Sequence, residues 1–165
     1  MLGDDAEVVM PKIRKSIEIN APVSEVFAFM ASPEHLPEIW PSMMEVSNIE
    51  IQPDGKASYD WVYKMAGVRF DGHSETIEHE RDRLVVVENE KGIRSKFRWS
   101  YEGRDDATRL TMEVDYEVPG AVLGKLADPF IRKLNEREAD TMLANLKTRL
   151  EEGELRASPE PQPHA

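Results

Sequence analysis

Histidines and carboxylates at short spacing are the first candidates for chemistry in this sequence. His73 and Glu75 stand two residues apart, and in a strand they share one face with about 6.6 Å between them. That spacing fits an acid–base pair, but the strand register derived below turns both side chains outward, so we interpret them as surface residues. His79 and Glu88 are expected at the rim of the sheet, where they are candidates for contacting a ligand, and His35 is expected on an exposed helix.

A metal site is not predicted, and no cofactor is implied. In one strand, His79 lies about 20 Å beyond His73, which is too far for the two rings to share a metal ion. The chain contains no HExxH sequence, no glycine-rich phosphate loop and no cysteine. The sequence therefore does not predict an HExxH metal site, a phosphate-binding loop or thiolate chemistry.

The phenol groups of tyrosine form a second candidate set. All four tyrosines of the chain fall on the predicted inner face of a sheet; they are Tyr59, Tyr63, Tyr101 and Tyr116. A phenol there can donate a hydrogen bond to a carbonyl or an enolate, which is modest support for aromatase-type chemistry. Because the same face has almost no other ionisable group, no catalytic residue is assigned.

Chain length and charge limit the class of protein. With 165 residues the chain is expected to form one hydrophobic core, and a formal net charge of -11 makes nucleic acid or anionic lipid an unfavourable partner. The lack of cysteine, of a long apolar run and of a signal-like N-terminus favours the cytoplasm. Residues 1–11 and the proline-rich residues 153–165, which include His164, are predicted to be disordered tails around a domain at 12–152.

Hydrophobic periodicity gives the order of the elements. Residues 12–20 alternate as a strand, Pro22 opens a short helix, and Ser32–Glu34 begins a second one. From Met44 onward, turn signals at short intervals separate six further strands. The segment from Asp128 to Gly153 has no internal breaker and predicts a helix about 36 Å long. Its apolar stripe consists of Phe130, Ile131, Leu134, Met142, Leu143, Leu146 and Leu150.

The hairpin turn at Asp105–Asp106 predicts how its two strands pair. Pairing across this turn places Arg98 opposite Glu113 and Trp99 opposite Met112. The neighbouring cross-strand pairs follow the same pattern: oppositely charged pairs lie on one face of the hairpin and apolar pairs lie on the other. The charged face is therefore interpreted as solvent-exposed.

A second hairpin, at Ala66–Gly67, brings a glycine opposite a large ring. Its register places Trp61 opposite Gly72, which leaves room for the indole. Beyond Ser74 the apolar phase slips by one residue, because Ile77 belongs with the apolar positions of the next strand. We interpret this slip as a bulge between Ser74 and Ile77 that bends the sheet.

The side chains that this register turns inward are rich in aromatic rings. They are Tyr59, Trp61, Tyr63, Phe70, Ile77, Leu84, Val86, Phe97, Trp99, Tyr101, Leu110, Met112, Val114 and Tyr116. Amphipathic aromatic residues on one concave face favour a pocket with apolar walls and a few hydrogen-bonding points. The alternative is that the rings fill the core and extend their polar atoms to its rim.

Both ends of the domain resemble a known family. The segment KSIEINAPVSEVFAFMASPEHLPEIWPSMMEV, with its Asn-Ala-Pro, Ser-Pro-Glu and Trp-Pro steps, is similar to the opening of the polyketide cyclase/dehydrase and lipid-transport family of the START-like (SRPBCC) superfamily. The end, TRLTMEVDYEVPG followed by a helix closing in LKTRLEEG, is similar as well. The resemblance implies an α+β helix-grip fold: a seven-stranded curved antiparallel sheet around a long C-terminal helix, with two short helices between strands 1 and 2. It also implies a hydrophobic cavity between sheet and helix.

Three functions compete at this point. The first is a carrier or binding protein for a small hydrophobic ligand, lipid-like or aromatic; the second is an enzyme of the cyclase or dehydrase type; the third is a protein-interaction domain. An ionisable side chain facing the cavity would favour the enzyme, and a filled cavity with a large exposed apolar patch would favour the interaction domain. The sequence does not name the ligand, does not decide whether catalysis occurs, and does not distinguish a monomer from a homodimer.

The ligand site is predicted between the inner face and the first half of the long helix. Its candidate residues are Tyr59, Trp61, Tyr63, Phe70, Phe97, Trp99, Tyr101, Met112, Tyr116, Phe130 and Leu134. The entrance is expected near residues 32–44, the only long connection without strand pairing, with Trp40 and Met44 on one side and Leu123 on the opposite lip.

Overall fold

The computed structural model describes residues 10–157, with side chains up to Glu152. Its elements are β1 (Lys12–Ile19), α1 (Val23–Met30), a 3-10 turn (Pro33–His35), α2 (Leu36–Ile39), β2 (Met43–Ile51), β3 (Ala57–Met65), β4 (Val68–Glu80), β5 (Leu84–Lys91), β6 (Ser95–Arg104), β7 (Ala107–Tyr116), α3 (Gly120–Leu123) and α4 (Asp128–Ala157). Most of the two predicted tails lies outside the described residues, and α4 ends at Ala157, past the boundary predicted at Glu152. A glycine inside a helix costs only about 1 kcal/mol, so Gly153 does not stop it.

All seven strands form one antiparallel sheet in the order β1-β7-β6-β5-β4-β3-β2. Strands β2 to β7 follow one another as a meander, and β1 completes the sheet by pairing with β7. Short helices lie between β1 and β2, and the long helix follows the last strand. The predicted helix-grip fold is therefore confirmed.

The β6–β7 pairing follows the predicted register. Arg98 pairs with Glu113 and Trp99 with Met112, so the two faces of the sheet have opposite character. On the outer face, the Glu113 carboxylate also accepts a hydrogen bond from Arg14 of β1 at 3.1 Å. On the inner face, Met112 is 1% exposed. The charge pairs identify the solvent face because an inward turn would bury both partners.

The β3–β4 hairpin places Trp61 where two glycines leave room for it. Trp61 pairs with Gly72, and a Cβ atom at Gly72 would lie 2.1 Å from the indole ring. Gly92, in the turn after β5, is the second close neighbour, since a Cβ there would lie 3.0 Å from the indole. Trp61 is 6% exposed, and no larger residue fits at Gly72 without displacing it. At Gly92 an added Cβ would first meet the Asp71 carbonyl oxygen, at 2.6 Å.

Helix α4 closes the open side of the sheet. It packs against β1 and α2, and its fully buried side chains include Ile131, Met142 and Leu146. These residues recur at helical spacing, which turns one face of α4 toward the core. No helix in the described part of the chain is both long enough and apolar enough to span a membrane.

Replacing Gly72 with alanine tests the packing around Trp61. We expect the free energy of unfolding to fall by about 1–3 kcal/mol, because the added methyl overlaps the indole. Gly120→Ala is the matched control, since a Cβ at Gly120 meets no atom within 4 Å. Urea unfolding of both variants makes the comparison, and equal stability of Gly72→Ala and the wild type would contradict the packing described here.

Candidate functional site

The inner face of the sheet, α4 and the α1–β2 segment surround a cavity of about 130 Å³. Eight of the side chains predicted for the ligand site line it: Tyr59, Trp61, Tyr63, Phe97, Trp99, Tyr101, Met112 and Tyr116. Aromatic rings dominate the wall, with Phe97 and Trp99 stacked at a centroid distance of 5.9 Å and Trp40 edge-on to Phe97 at 5.6 Å. Trp40, predicted at the entrance, is 9% exposed and also lines the cavity.

Two residues predicted from α4 do not face the cavity. Phe130 is 64% exposed and Leu134 is 41% exposed. The buried face of the helix instead carries Ile131, Asn135 and Ala139 at steps of four residues. Phe130 and Leu134 each precede a buried position by one residue, which rotates them by about 100° toward solvent. The sequence pattern is misleading here because it places the apolar residues Phe130 and Leu134 inward and the polar Asn135 outward.

Three further predicted positions also lie outside the cavity wall. Phe70 is half-buried against the core, because the cavity-lining residues of β4 begin farther along the strand, at Ser74. Met44 is 51% exposed, since the alternation of β2 turns Met43 inward instead. Leu123 is 39% exposed, because the neighbouring Val122 takes the buried position of α3. The predicted roles of Met44 and Leu123 at the entrance and of Phe70 in the pocket therefore do not match their positions in the structure.

The phase of β4 and β5 differs from the prediction by one residue. A register shift between Thr76 and Glu78 confirms an irregularity close to the expected bulge. Beyond it, however, the cavity is lined by His79, Val85 and Val87. Ile77, Leu84 and Val86, which were predicted to face inward, do not line the cavity. The four consecutive apolar residues from Leu84 to Val87 do not alternate with polar ones, so their pattern does not reveal which of them face inward.

A buried polar network forms part of the cavity wall. Asn89 is 6% exposed, and its Oδ1 accepts hydrogen bonds from Trp61 Nε1 at 3.3 Å and from the Ser74 hydroxyl. Its Nδ2 donates to Ser95 Oγ at 2.8 Å. Burial raises the pKa of Tyr59, and a hydrogen bond with Ser74 partly offsets that effect. This network connects four strands through side chains and fixes the Trp61 indole.

Helix α4 contributes two polar side chains that the sequence analysis missed. Asn135 Nδ2 donates to the Tyr116 hydroxyl at 2.9 Å, and Glu138 lines the cavity while its Oε2 accepts the backbone N–H of Ser42 at 2.7 Å. Burial, followed by the charge of Glu138, raises the pKa of Tyr63. A spacing of four residues from Ile131 and Ala139 was the available signal for Asn135.

Polar contacts hold the predicted entrance segment against α4 and β3. Besides the Ser42–Glu138 hydrogen bond, Asn145 Nδ2 donates to the Ile39 carbonyl at 2.9 Å, and Arg149 forms an ion pair with Glu38. The indole Nε1 of Trp40 donates to the Tyr63 hydroxyl at 3.2 Å. Opening the cavity here requires these contacts to separate, and the position of the entrance stays a prediction.

The remaining histidines lie away from the cavity. His73 bonds to both Asp60 and Glu75 at 2.7 Å on the outer face, and these hydrogen bonds raise its pKa. The outward orientation of His73 and Glu75 agrees with the sequence interpretation. His35 stacks on Phe29 with a centroid distance of 4.4 Å. Glu88 pairs with Glu75 in the sheet and does not line the cavity, and His164 lies outside the described residues.

The wall of the cavity carries few charges. Among the described residues that line it, the ionisable side chains other than tyrosine are His79 and Glu138, and lysine and arginine do not occur. No group of three histidine, aspartate or glutamate side chains in residues 10–157 is placed to hold a metal ion. Chemistry in this space therefore depends on aromatic surfaces, hydrogen-bond donors, one imidazole and one carboxylate.

A curved antiparallel sheet that holds one long helix over an aromatic cavity defines the helix-grip class of START-like proteins. The family model for polyketide cyclase/dehydrase and lipid transport matches residues 10–151, and the chain belongs to this family. A comparison with curated proteins found no match.

Solved structures agree with this fold. A protein from Thermus thermophilus superposes with a TM-score of 0.74 at 20% identity, covering 90% of this chain and 100% of its own. The Zhui aromatase/cyclase from Streptomyces sp. R1128 gives a TM-score of 0.73 at 18% identity, covering 91% of this chain and 98% of its own. A START superfamily protein from Mycobacterium smegmatis gives 0.73 at 16% identity, covering 86% of this chain and 97% of its own. At these identities the likeness establishes the fold alone.

Replacing Asn89 with leucine tests the buried network. The variant leaves Trp61 Nε1 without its acceptor and removes one hydrogen bond from each of the Ser74 and Ser95 hydroxyls, so we expect the free energy of unfolding to fall by about 2–4 kcal/mol. The control Gln52→Leu, at an exposed amide side chain, should alter the free energy of unfolding by no more than about 0.5 kcal/mol. Chemical denaturation followed by tryptophan fluorescence measures both, and a neutral Asn89→Leu would contradict the network.

Proposed function

We propose that this protein binds a small apolar molecule in the cavity between its sheet and α4. The observation that carries the proposal is the unfilled space of about 130 Å³ with aromatic walls. Protein interiors are close-packed, and voids larger than a water molecule are few. An engineered apolar cavity of about 150 Å³ is known to bind benzene, so a single aromatic ring is the size of molecule that this space takes without rearrangement.

The family supports an apolar ligand. Its description combines polyketide cyclase/dehydrase activity with lipid transport, and one similar structure is named as an aromatase/cyclase. Both kinds of protein handle molecules with large apolar surfaces. To admit a larger apolar ligand, the segment that contains Ser42 would have to separate from Glu138.

A cyclase or dehydrase activity is the second candidate. It is favoured by Glu138 and His79, because a carboxylate and an imidazole in one cavity wall are the usual groups for proton transfer. The carrier function has more support, since Glu138 already accepts the Ser42 N–H and the wall is otherwise apolar. Native mass spectrometry of the purified protein separates the two candidates: a carrier retains its molecule unchanged, whereas an enzyme converts it. The interaction-domain hypothesis has less support because the cavity is not filled by side chains.

The affinity for a one-ring ligand is estimated from the apolar surface area that binding removes from water. Removing about 250 Å² of apolar surface from water gives a gross gain of about 6 kcal/mol. The cost of immobilising the ligand reduces this gain. A dissociation constant of about 0.1–1 mM is therefore expected for a simple hydrocarbon, and ligands that also form hydrogen bonds should bind more tightly.

Filling the cavity tests the proposal directly. Ala139 is 6% exposed and lines the cavity, so Ala139→Leu should occupy part of the space and weaken ethylbenzene binding at least about tenfold. Ala144→Leu, the same substitution on the exposed face of α4, is the matched control and should keep wild-type affinity. Isothermal titration calorimetry makes the measurement. Unchanged binding by Ala139→Leu, or no saturable binding by the wild type, would show that this cavity is not the site.

A further inference from the structure

Most polar groups in the cavity wall already have partners within the protein. Asn89 is bonded on both sides of its amide, the Tyr116 hydroxyl accepts from Asn135, and the Tyr63 hydroxyl accepts from Trp40. Buried polar groups are normally satisfied in this way. Groups that depart from the rule therefore require an explanation.

Two buried polar groups on β6 lack a hydrogen-bond partner in the described part of the chain. Tyr101 is 7% exposed and Trp99 is 5% exposed, and both line the cavity. Neither the Tyr101 hydroxyl nor Trp99 Nε1 forms a hydrogen bond with any described residue of the chain. The two residues lie two positions apart on one strand, hence on the same face of the sheet. They form a pair of unsatisfied groups at one region of the wall.

The position of Tyr101 is marked by α1. The Phe27 ring packs edge-on against Tyr101 at 5.0 Å and against His79 at 5.2 Å. Tyr101 therefore lies at the α1 end of the cavity, where His79 is the neighbouring polar side chain. His79 likewise forms no hydrogen bond with a described residue.

The chemistry of the two β6 groups limits what they can bind. An indole N–H can only donate, and a neutral phenol donates readily. Burial raises the pKa of Tyr101, so its hydroxyl remains protonated and available as a donor. The complementary feature of a ligand is therefore an acceptor oxygen.

The charge of the wall limits the ligand further. No lysine or arginine occurs among the described residues that line the cavity, and the ionisable side chains there other than tyrosine are the His79 imidazole and the Glu138 carboxylate. A buried carboxylate or phosphate without a cationic partner is strongly disfavoured. A fatty acid or a phosphate headgroup is for this reason a poor match, whereas an uncharged carbonyl oxygen can accept from a neutral donor such as the Tyr101 hydroxyl.

We propose that Tyr101, with Trp99 beside it, donates a hydrogen bond to the carbonyl oxygen of a neutral aromatic ligand, and that the cavity selects such molecules over carboxylates of the same size. This inference rests on the proposed function and names the ligand class and one specificity-determining residue. The aromatic wall holds the ring, and the Tyr101 hydroxyl at the α1 end fixes its orientation.

Three one-ring probes that differ in a single group test this selectivity. They are ethylbenzene, acetophenone and benzoate, titrated calorimetrically at about pH 7.5, where benzoate is ionised. Wild-type protein should bind ethylbenzene and acetophenone and show no measurable binding of benzoate. In Tyr101→Phe the affinity for acetophenone should fall about three- to tenfold, the usual range for one lost hydrogen bond, while the affinity for ethylbenzene stays within about twofold.

A stability measurement accompanies the titrations. Removing the unpartnered Tyr101 hydroxyl should leave the melting temperature unchanged or raised, whereas Tyr116→Phe should lower it by breaking the bond with Asn135. A clear fall in melting temperature for Tyr101→Phe would mean that its hydroxyl is already satisfied, and would overturn the proposal.

The outcomes separate this inference from the proposed function. If ethylbenzene binds and Tyr101→Phe affects both neutral probes equally, the selectivity is wrong and the apolar site remains. The same holds if benzoate binds as tightly as acetophenone. If none of the probes binds to the wild type, both the proposed function and this inference fail.

Discussion

The fit of the Trp61 indole against two glycines is the constraint on which the rest of the site depends. Gly72 and Gly92 give the ring its space, and Asn89 accepts its N–H. Because Asn89 also bonds Ser74 and Ser95, the orientation of one indole is tied to β4, β5 and β6. These side-chain hydrogen bonds oppose a change of register between the strands that they join, and so they hold this part of the aromatic wall in place.

Helix α4 closes the open side of the sheet through contacts that do not involve the Trp61 network. The C-terminal half of the helix packs with apolar side chains such as Met142 and Leu146, which are fully buried. Its N-terminal half buries Ile131 and Ala139 as well, and it adds Asn135 and Glu138, each bonded to a group across the interface. Above the cavity, hydrogen bonds therefore join the helix to the rest of the domain in addition to apolar packing. Hydrogen bonds can exchange with water or a ligand at little net cost, so this is the part of the interface suited to opening.

The sequence predicted those features that local pairing determines. Opposite charges such as Arg98 and Glu113, and a glycine facing Trp61, define a hairpin register without knowledge of the remaining fold. The inward phase of β5 was not predictable in this way, because the apolar run from Leu84 to Val87 has no alternation. The rotation of α4 was also missed, because a pattern judged by hydrophobicity alone leaves Asn135 outside, whereas it is buried and donates to the Tyr116 hydroxyl. Hydrophobic periodicity does not reveal a tertiary hydrogen bond of this kind, and this accounts for the errors at Phe130 and Leu134.

The central claim is that a stable apolar space exists between β6 and α4. Xenon binds in dry apolar cavities with little requirement for shape, so diffraction from crystals pressurised with xenon tests the claim without assuming a ligand. The account predicts xenon density inside the cavity, bounded by Trp99 and Ala139, with the surrounding side chains in place. A structure without xenon there, in which Trp99, Tyr101 or Trp40 has moved to fill the space, would contradict it.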